Sequence, residues 1–293
     1  MTVETVRYTY RLRPGAQAEV ALVSEWNRCR FLWNEAVEQS KSGRKPTFVK
    51  LCKLLTEARA ENAWLREGSQ VAQQQALRTY ALALDHSFKV KGRGRPKFKA
   101  RKKSLPSLEY TTRGFAVRDG RLVLPKGAAI PVVWSRDLPS APSSVRVYQD
   151  SLGHWYASFV VQREVRPAPT VEGGIGIDWG VTVTASTTDP SLNLPHSGHR
   201  KRTAGALAKA QRRMARRHRA NGTQSNGYTR ARRDAALLHK KGARQVQYDA
   251  RAWAKRIVDA HQLIAVEDFK PTFLAKSSMA RKAADAAGVK SAL

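Results

Sequence analysis

Two carboxylates at the ends of apolar runs are the residues best suited to do chemistry. Asp178 closes the run Gly173-Gly-Ile-Gly-Ile and is followed by Trp179-Gly180. Ile175 and Ile177 alternate before it, and Val181, Val183 and Ala185 alternate after the glycine, which predicts two short strands joined at a tight turn. Glu267 closes Leu263-Ile-Ala-Val in the same manner. A carboxylate at a strand end faces the open end of a sheet, where its hard oxygens suit a divalent cation such as Mg²⁺ or Mn²⁺. Both acids stand in a chain whose 53 Lys and Arg outnumber 23 Asp and Glu, for a net charge of +30. Acids at strand ends in so basic a chain point to metal-dependent chemistry on a polyanion.

The elements that must position them can be read along the 293 residues. At 42% hydrophobic the chain can bury cores, so its charge is not that of a disordered polyelectrolyte. An excess of one sign this large repels itself until a polyanion neutralises it, and nucleic acid is the expected partner. A membrane is the alternative, disfavoured because no run approaches the roughly 18 apolar residues of a span. Residues 1–8 carry no apolar leader run, so a cytoplasmic, nucleoid-associated protein of a bacterium or archaeon is expected, or a nuclear one. Cys29 and Cys52 each lie alone in helix-like stretches and read as reduced core thiols; without a Cys-x-x-Cys pair no zinc site is expected within the chain.

Val6, Tyr8, Tyr10 and Leu12 alternate with polar residues, a half-buried strand stopped by Pro14-Gly15. From Ala18 to Gln39 the spacing of Leu22, Trp26, Cys29, Trp33 and Val37 is helical. Further helices are expected over 48–62 and 71–90. Residues 104–165 then read as strands at 116–117, 122–124, 130–134, 144–148 and 155–161, with turns at Asp119-Gly120 and Leu152-Gly153, and suggest a small barrel that the first strand joins. A Pro-rich stretch at 166–170 reads as a linker. Beyond it, Leu207, Ala210 and Met214 mark one amphipathic helix. A longer one runs from about Ala235 to His261, with a break expected at Gly242 and a turn between the two at Asn221-Gly222 and Asn226-Gly227. His196 and His199 are expected in a surface loop, and Trp179 in the core.

Two regions are expected to hold nucleic acid. In 89–103, Lys89, Lys91, Arg93, Arg95, Lys97, Lys99 and Arg101 occupy every second position and frame Phe98. In an extended chain alternate side chains share one face, so this run could track a phosphate backbone. From Arg200 to Arg251 sixteen Lys and Arg face two acids, with Arg212, Arg213, Arg216, Arg217, Arg232, Arg233, Lys240 and Lys241 as the expected contacts.

The chain resembles the TnpB family, transposon-encoded RNA-guided nucleases related to the type V CRISPR effectors. The resemblance is carried by Arg30-Phe-Leu-Trp-Asn34, Gln73-Gln-Gln-Ala-Leu77, Arg95-Pro-Lys-Phe-Lys99, Gly153-His-Trp-Tyr-Ala-Ser158, Ile177-Asp178-Trp-Gly180 and Val266-Glu267-Asp268, and covers nearly the whole length. It implies an α+β multidomain fold. A small β-barrel wedge domain (1–14 and 104–168) would carry an inserted helical domain with its basic loop (15–103). An RNase H-like (RuvC) α/β domain would follow over 169–293, with its basic hairpin at 200–251. It implies Asp178 and Glu267 as catalytic metal ligands, a guide RNA as cofactor and double-stranded target DNA as partner. Arg28, Gln73, Gln74 and Arg78 fall near the region expected to read a short motif beside the target.

In that family a connecting helix, a zinc ribbon and a third catalytic Asp follow the second motif. Here Asp268 and Asp285 are the acids after Glu267, and the stretch around Asp285 resembles the start of the connecting helix. The RNase H-like domain is therefore expected to be incomplete in this sequence, and cleavage conditional on the missing part. A nuclease-inactive, guide-dependent DNA-binding repressor is the first alternative. A non-guided RNA-binding or architectural protein is the second.

Overall fold

A computed structural model of the chain describes residues 2–41, 46–101, 104–165, 172–180 and 182–267. The chain divides into two compact units, Met1–Val165 and Arg166–Leu293.

The first unit combines an antiparallel sheet with a helical layer. Strand β1 (Val3–Leu12) leads into α1 (Ala16–Lys41), α2 (Phe48–Glu61), a single turn α3 (Ala63–Arg66) and α4 (Gln70–Lys89). The strands β2 (Ser107–Thr111), β3 (Ala116–Arg118), β4 (Arg121–Leu124), β5 (Ala128–Val133), β6 (Ser144–Gln149) and β7 (Trp155–Glu164) follow. They pair in the order β2-β6-β7-β1-β5-β4-β3. The sheet curls round one core, since Leu108 of β2 and Leu122 of β4 belong to the same buried cluster. No pairing closes β2 onto β3 among the described residues, so the expected barrel is a curled open sheet. Strand β2 escaped the sequence reading although Leu108 and Tyr110 alternate with Ser107, Glu109 and Thr111, because a run of five residues is too short to stand out by its alternation alone. The Asp119-Gly120 turn is as expected: both residues have positive φ, 49° and 69°, the backbone a two-residue hairpin requires.

Helix α1 spans two cores. Its Leu22, Trp26 and Cys29 pack with the sheet, while Leu32, Trp33, Ala36 and Val37 pack with Leu51, Leu54 and Leu55 of α2 and Leu77, Tyr80 and Leu84 of α4. Helix α1 thus contributes to both cores, and the helices inserted after β1 lie with the sheet in one compact unit. Thr47 and Ser69 begin α2 and α4 by accepting from the backbone N–H groups of Lys50 and Ala72, which satisfies orphan donors of the first turn.

The second unit has a four-stranded sheet in the order β10-β9-β8-β11, with β8 (Gly174–Trp179), β9 (Val183–Thr187), β10 (Leu194–Pro195) and β11 (Leu263–Val266). Helices α5 (His199–Arg217) and α6 (Asn226–Ala260) lie between β10 and β11. Trp253 and Ile257 of α6 cover Ile175, Ile177 and Ala185, and Trp253 Nε1 donates to the Leu192 carbonyl at 2.6 Å. Helix α6 runs unbroken through Gly242. That residue lacks helix propensity, but it sits against Arg200 and Thr203 of α5, where a small side chain lets the two helices meet. Asn226-Gly227 is likewise not a turn: Ser225 caps α6 by accepting from Tyr228 N–H, and the connection occupies 218–225. His199 opens α5 rather than a loop, with Nε2 2.6 Å from Asp249 Oδ2.

Candidate metal centre and nucleic-acid interface

Strands β8 and β11 are parallel, with Val266 opposite Ile177. One residue further, the same register sets Glu267 beside Asp178, on neighbouring strands about 4.8 Å apart. Ile177 is buried, so alternation turns Asp178 to the other face of the sheet, and both carboxylates are exposed. The chain leaves this point through Gly180, where a Cβ would lie 2.6 Å from the Val183 carbonyl oxygen; only glycine permits that approach. Among the described residues no cation pairs with either acid, and no cluster of three or more His, Cys, Asp or Glu could hold a metal. Two exposed carboxylates are hard oxygen donors of the kind a divalent cation takes together with water. Asp268 and Asp285 lie outside the described residues.

Of the four expected motif readers, Arg28 and Gln73 sit at the corner where α1, α3 and α4 meet and are engaged inside the protein. Gln73 is fully buried: its amide donates to the Leu65 carbonyl at 2.9 Å and accepts from Arg59 at 2.7 Å. Arg28 donates to the Trp64 carbonyl at 2.7 Å and to Glu67 at 3.1 Å, and lies 3.7 Å from Glu25. Glu25 in turn accepts from Ser69 N–H at 2.9 Å, and burial raises its carboxyl above the usual range. A Cβ on Gly68 would fall 2.4 Å from Arg28 and 2.6 Å from Gln73, so the glycine makes the corner possible. Arg28 and Gln73 thus hold the helices together, and their side chains are not presented to a base. Gln74 is half-buried near Cys52, and Arg78 is exposed.

In the basic run 89–101, Lys89 ends α4, residues 90–92 turn with Gly92 at a φ of 87°, and 93–100 form no regular element, so the run does not show a single cationic face. Lys99 stands over Trp33, with Nζ 3.5 Å from the ring centroid, and 5.0 Å from that of Trp26. Burial lowers its pKa from 10.5 to about 8. The backbone is pinned as well. Trp33 Nε1 donates to the Lys97 carbonyl at 3.0 Å, the Asn34 amide donates to the Lys99 carbonyl at 3.2 Å, and Asn34 Oδ1 accepts from Lys99 N–H at 2.8 Å. Lys99 therefore also serves the fold, as a half-buried cation seated on the two tryptophans. Lys89 pairs with Asp85, Arg93 meets His86 and Arg95 covers Phe88, while Lys91, Lys97 and Arg101 are exposed. The sequence reading missed the aromatic bed, because the seven-residue spacing of Trp26 and Trp33 reads as an ordinary core stripe.

On the helical hairpin, Arg212, Arg216, Arg217, Arg232, Arg233 and Lys241 are exposed, and the small residues Ala210, Ala231 and Ala235 are buried. Arg213 is bound to Asp234 at 3.2 Å, and Lys240 is half-buried with a partner of its own.

Carboxylates at the ends of parallel strands, joined to a strongly basic helical hairpin, are the features that a nucleic-acid-binding protein with a divalent-cation site would need. The model of the OrfB_IS605 family, described as a probable transposase, matches residues 158–277. A protein of Streptomyces pristinaespiralis assigned by name as an RNA-guided DNA endonuclease is 32% identical over 96% of this chain and 71% of its own. InsQ of Escherichia coli strain K12, assigned the same activity, is 26% identical over 92% of this chain and 68% of its own. A looser structural likeness, 13% identical with a TM-score of 0.43, is to a Cas12f1–sgRNA–target DNA complex and covers 99% of this chain and 86% of that one. The chain belongs to the OrfB_IS605 family of TnpB transposon proteins, whose relatives are named as RNA-guided DNA endonucleases.

Proposed function

We propose that this chain is an RNA-guided DNA-binding protein of the TnpB type. A guide RNA would pair with one strand of duplex DNA next to a short motif, while the protein holds the heteroduplex by its backbone and shape. The observation that carries this reading is the 32% identity to a relative assigned as an RNA-guided DNA endonuclease, running over 96% of the chain. The first unit would act as the wedge and recognition module. The second would act as the RuvC-type module, with the exposed arginines of α5 and α6 and Lys91, Lys97 and Arg101 meeting phosphates.

Asp178 and Glu267 would be the ligands of a divalent ion. Such an ion, when bound, activates water and stabilises the leaving oxygen. The two acids contribute four oxygens at the open edge of β8 and β11. A two-ion site needs ligands fixing ions about 3.5–4 Å apart, and no further acid among the described residues joins the pair. Two-ion cutting would need a further ligand beside these two acids, and a second reading is that the chain acts by guided occupancy, as a repressor.

RNA sequencing of material co-purifying with the chain tests the guided reading. One enriched, structured RNA is expected, and random cellular RNA would sink it. Adding that RNA, matched duplex and Mg²⁺ to the parent and to Asp178→Ala separates nuclease from occupancy. Equal background from both supports the repressor, whereas cleavage lost in the variant establishes a working metal site.

A further inference from the structure

A second binding feature lies in the first unit, away from Asp178 and Glu267 in sequence and in neither expected phosphate-contact set as a site. A cleft of about 430 Å³ opens between α1, α3 and the 93–101 run, within the size range of small-ligand sites, about 300–1,000 Å³. Phe31, Trp64 and Phe98 line it and are 36%, 41% and 63% exposed, an unusual amount of free aromatic surface in one place. Phe31 and Trp64 meet edge to face, with centroids 5.9 Å apart and planes at 83°, so the two rings present differently oriented surfaces. Arg28 is 5.6 Å from the Trp64 centroid, and its hydrogen bond to the Trp64 carbonyl fixes the backbone at that wall. The cleft is ordered, because Asn34 and Trp33 pin the backbone on either side of Phe98.

Its polar groups are available. Arg101 has no partner among the described residues, and Arg30 lines the cleft with one Nη donating to the Lys99 carbonyl at 3.2 Å and its Nε buried. Asn27 and Glu35 also line the cleft, and no hydrogen bond engages either side chain among the described residues. Aromatic faces, two guanidinium groups and hydrogen-bonding groups for a base edge are what an unpaired nucleotide needs. A duplex offers no free base face and cannot use the rings. The arginines suit the phosphate, while Glu35 suits a base amino group and would repel phosphate.

We propose that this cleft holds one unpaired nucleotide, its base against Phe98 and Trp64 and its phosphate at Arg30 and Arg101. The proposal deepens the nucleic-acid reading above and rests on it, but it needs no guide, no target match and no metal.

The test uses the full chain, stripped of RNA at high salt. Binding of a labelled RNA pentanucleotide, a DNA pentanucleotide and a hairpin-capped duplex is followed by anisotropy for the parent, Phe98→Ala, Trp64→Ala and Trp64→Phe. Stacking on one aromatic accounts for roughly 5- to 100-fold in affinity, so both alanine variants should lose that much for single strands and nothing for the duplex. Trp64→Phe should retain binding. The salt slope should be unchanged in all variants, because stacking releases no counterions. A loss confined to RNA assigns the cleft to the guide, and one confined to DNA assigns it to a displaced or unwound strand; either supports the proposal. Unchanged single-strand affinity in Phe98→Ala, or an equal loss for the duplex, overturns it. Circular dichroism of each variant separates a failure to fold. The proposal can also survive if no enriched guide is found, so its failure and that of the guided reading are distinguishable.

Discussion

The run 89–101 and the α5–α6 hairpin are both rich in exposed Lys and Arg, yet the run is held by aromatic side chains that take one of its cations, Lys99, out of solvent. On the hairpin the small residues Ala210, Ala231 and Ala235 bury the seam, and most cations stand in solvent on long stems. In the run 89–101 a tryptophan bed captures the backbone and draws Lys99 inward. A cation near solvent costs little to hold and can release counterions on binding. A cation among rings is partly desolvated, and it orders the protein instead. The density of positive charge in a sequence therefore does not say which charges a polyanion will meet.

The contrast can be broken most strongly at Trp33, which is 7% exposed. Trp33→Ala should destabilise the first unit by about 3–5 kcal/mol, through lost burial and the freed Lys97 carbonyl. Single exposed changes such as Arg232→Ala should stay within about 0.5 kcal/mol. Equal effects in urea melts would abolish the distinction.

Next in size is the combined change of Arg212, Arg216, Arg232 and Arg233 to Ala. If each meets one phosphate, the log–log salt slope of duplex binding should become shallower by about 3 to 4 units. Stability should barely move. An unchanged slope would show that the hairpin does not face nucleic acid.

Asn34→Ala removes two hydrogen bonds to the Lys99 backbone, leaving its N–H to find another partner and its carbonyl to Arg30 alone. A loss of about 1–3 kcal/mol is expected, with faster amide exchange at Lys99. Protection equal to the parent's would mean that the aromatic bed alone holds the run.

The smallest effect is a pH dependence. The folded pKa of Lys99, about 8, lies below its ordinary 10.5. Between those values the unfolded chain binds a proton that the folded chain lacks, so stability rises with pH across that window. The parent should thus gain on Lys99→Met from about pH 8 to 10 in parallel thermal melts. Parallel profiles, or a gain in the opposite direction, would contradict the buried cation. The same reasoning divides the trio Lys97, Lys99 and Arg101: alanine at 97 or 101 should weaken binding, and alanine at 99 should weaken the fold.

Much of this was legible in residue order. The spacing of Leu22, Trp26, Cys29, Trp33 and Val37 marked α1, and the alternation up to Leu12 marked β1, because local periodicity reflects a buried face directly. The two acid-ended strands, and hence the identity of Asp178 and Glu267, followed from short apolar runs that stop at a charge. Gly242 and Asn226-Gly227 misled, since propensity weighs about 1 kcal/mol and packing against α5 outweighs it.

The sequence by itself determined that the chain is strongly cationic, where most of its strands and helices lie, and which two carboxylates end short apolar runs. Only the tertiary structure decided their register, Val266 against Ile177, which makes two distant acids neighbours. It also decided that Gln73 and Arg28 face inward, that Lys99 lies on Trp33, and that Phe31, Trp64 and Phe98 converge on one cleft. Periodicity reports which side of an element is buried. It carries no information on which other element lies there, because that choice rests on contacts between residues tens of positions apart.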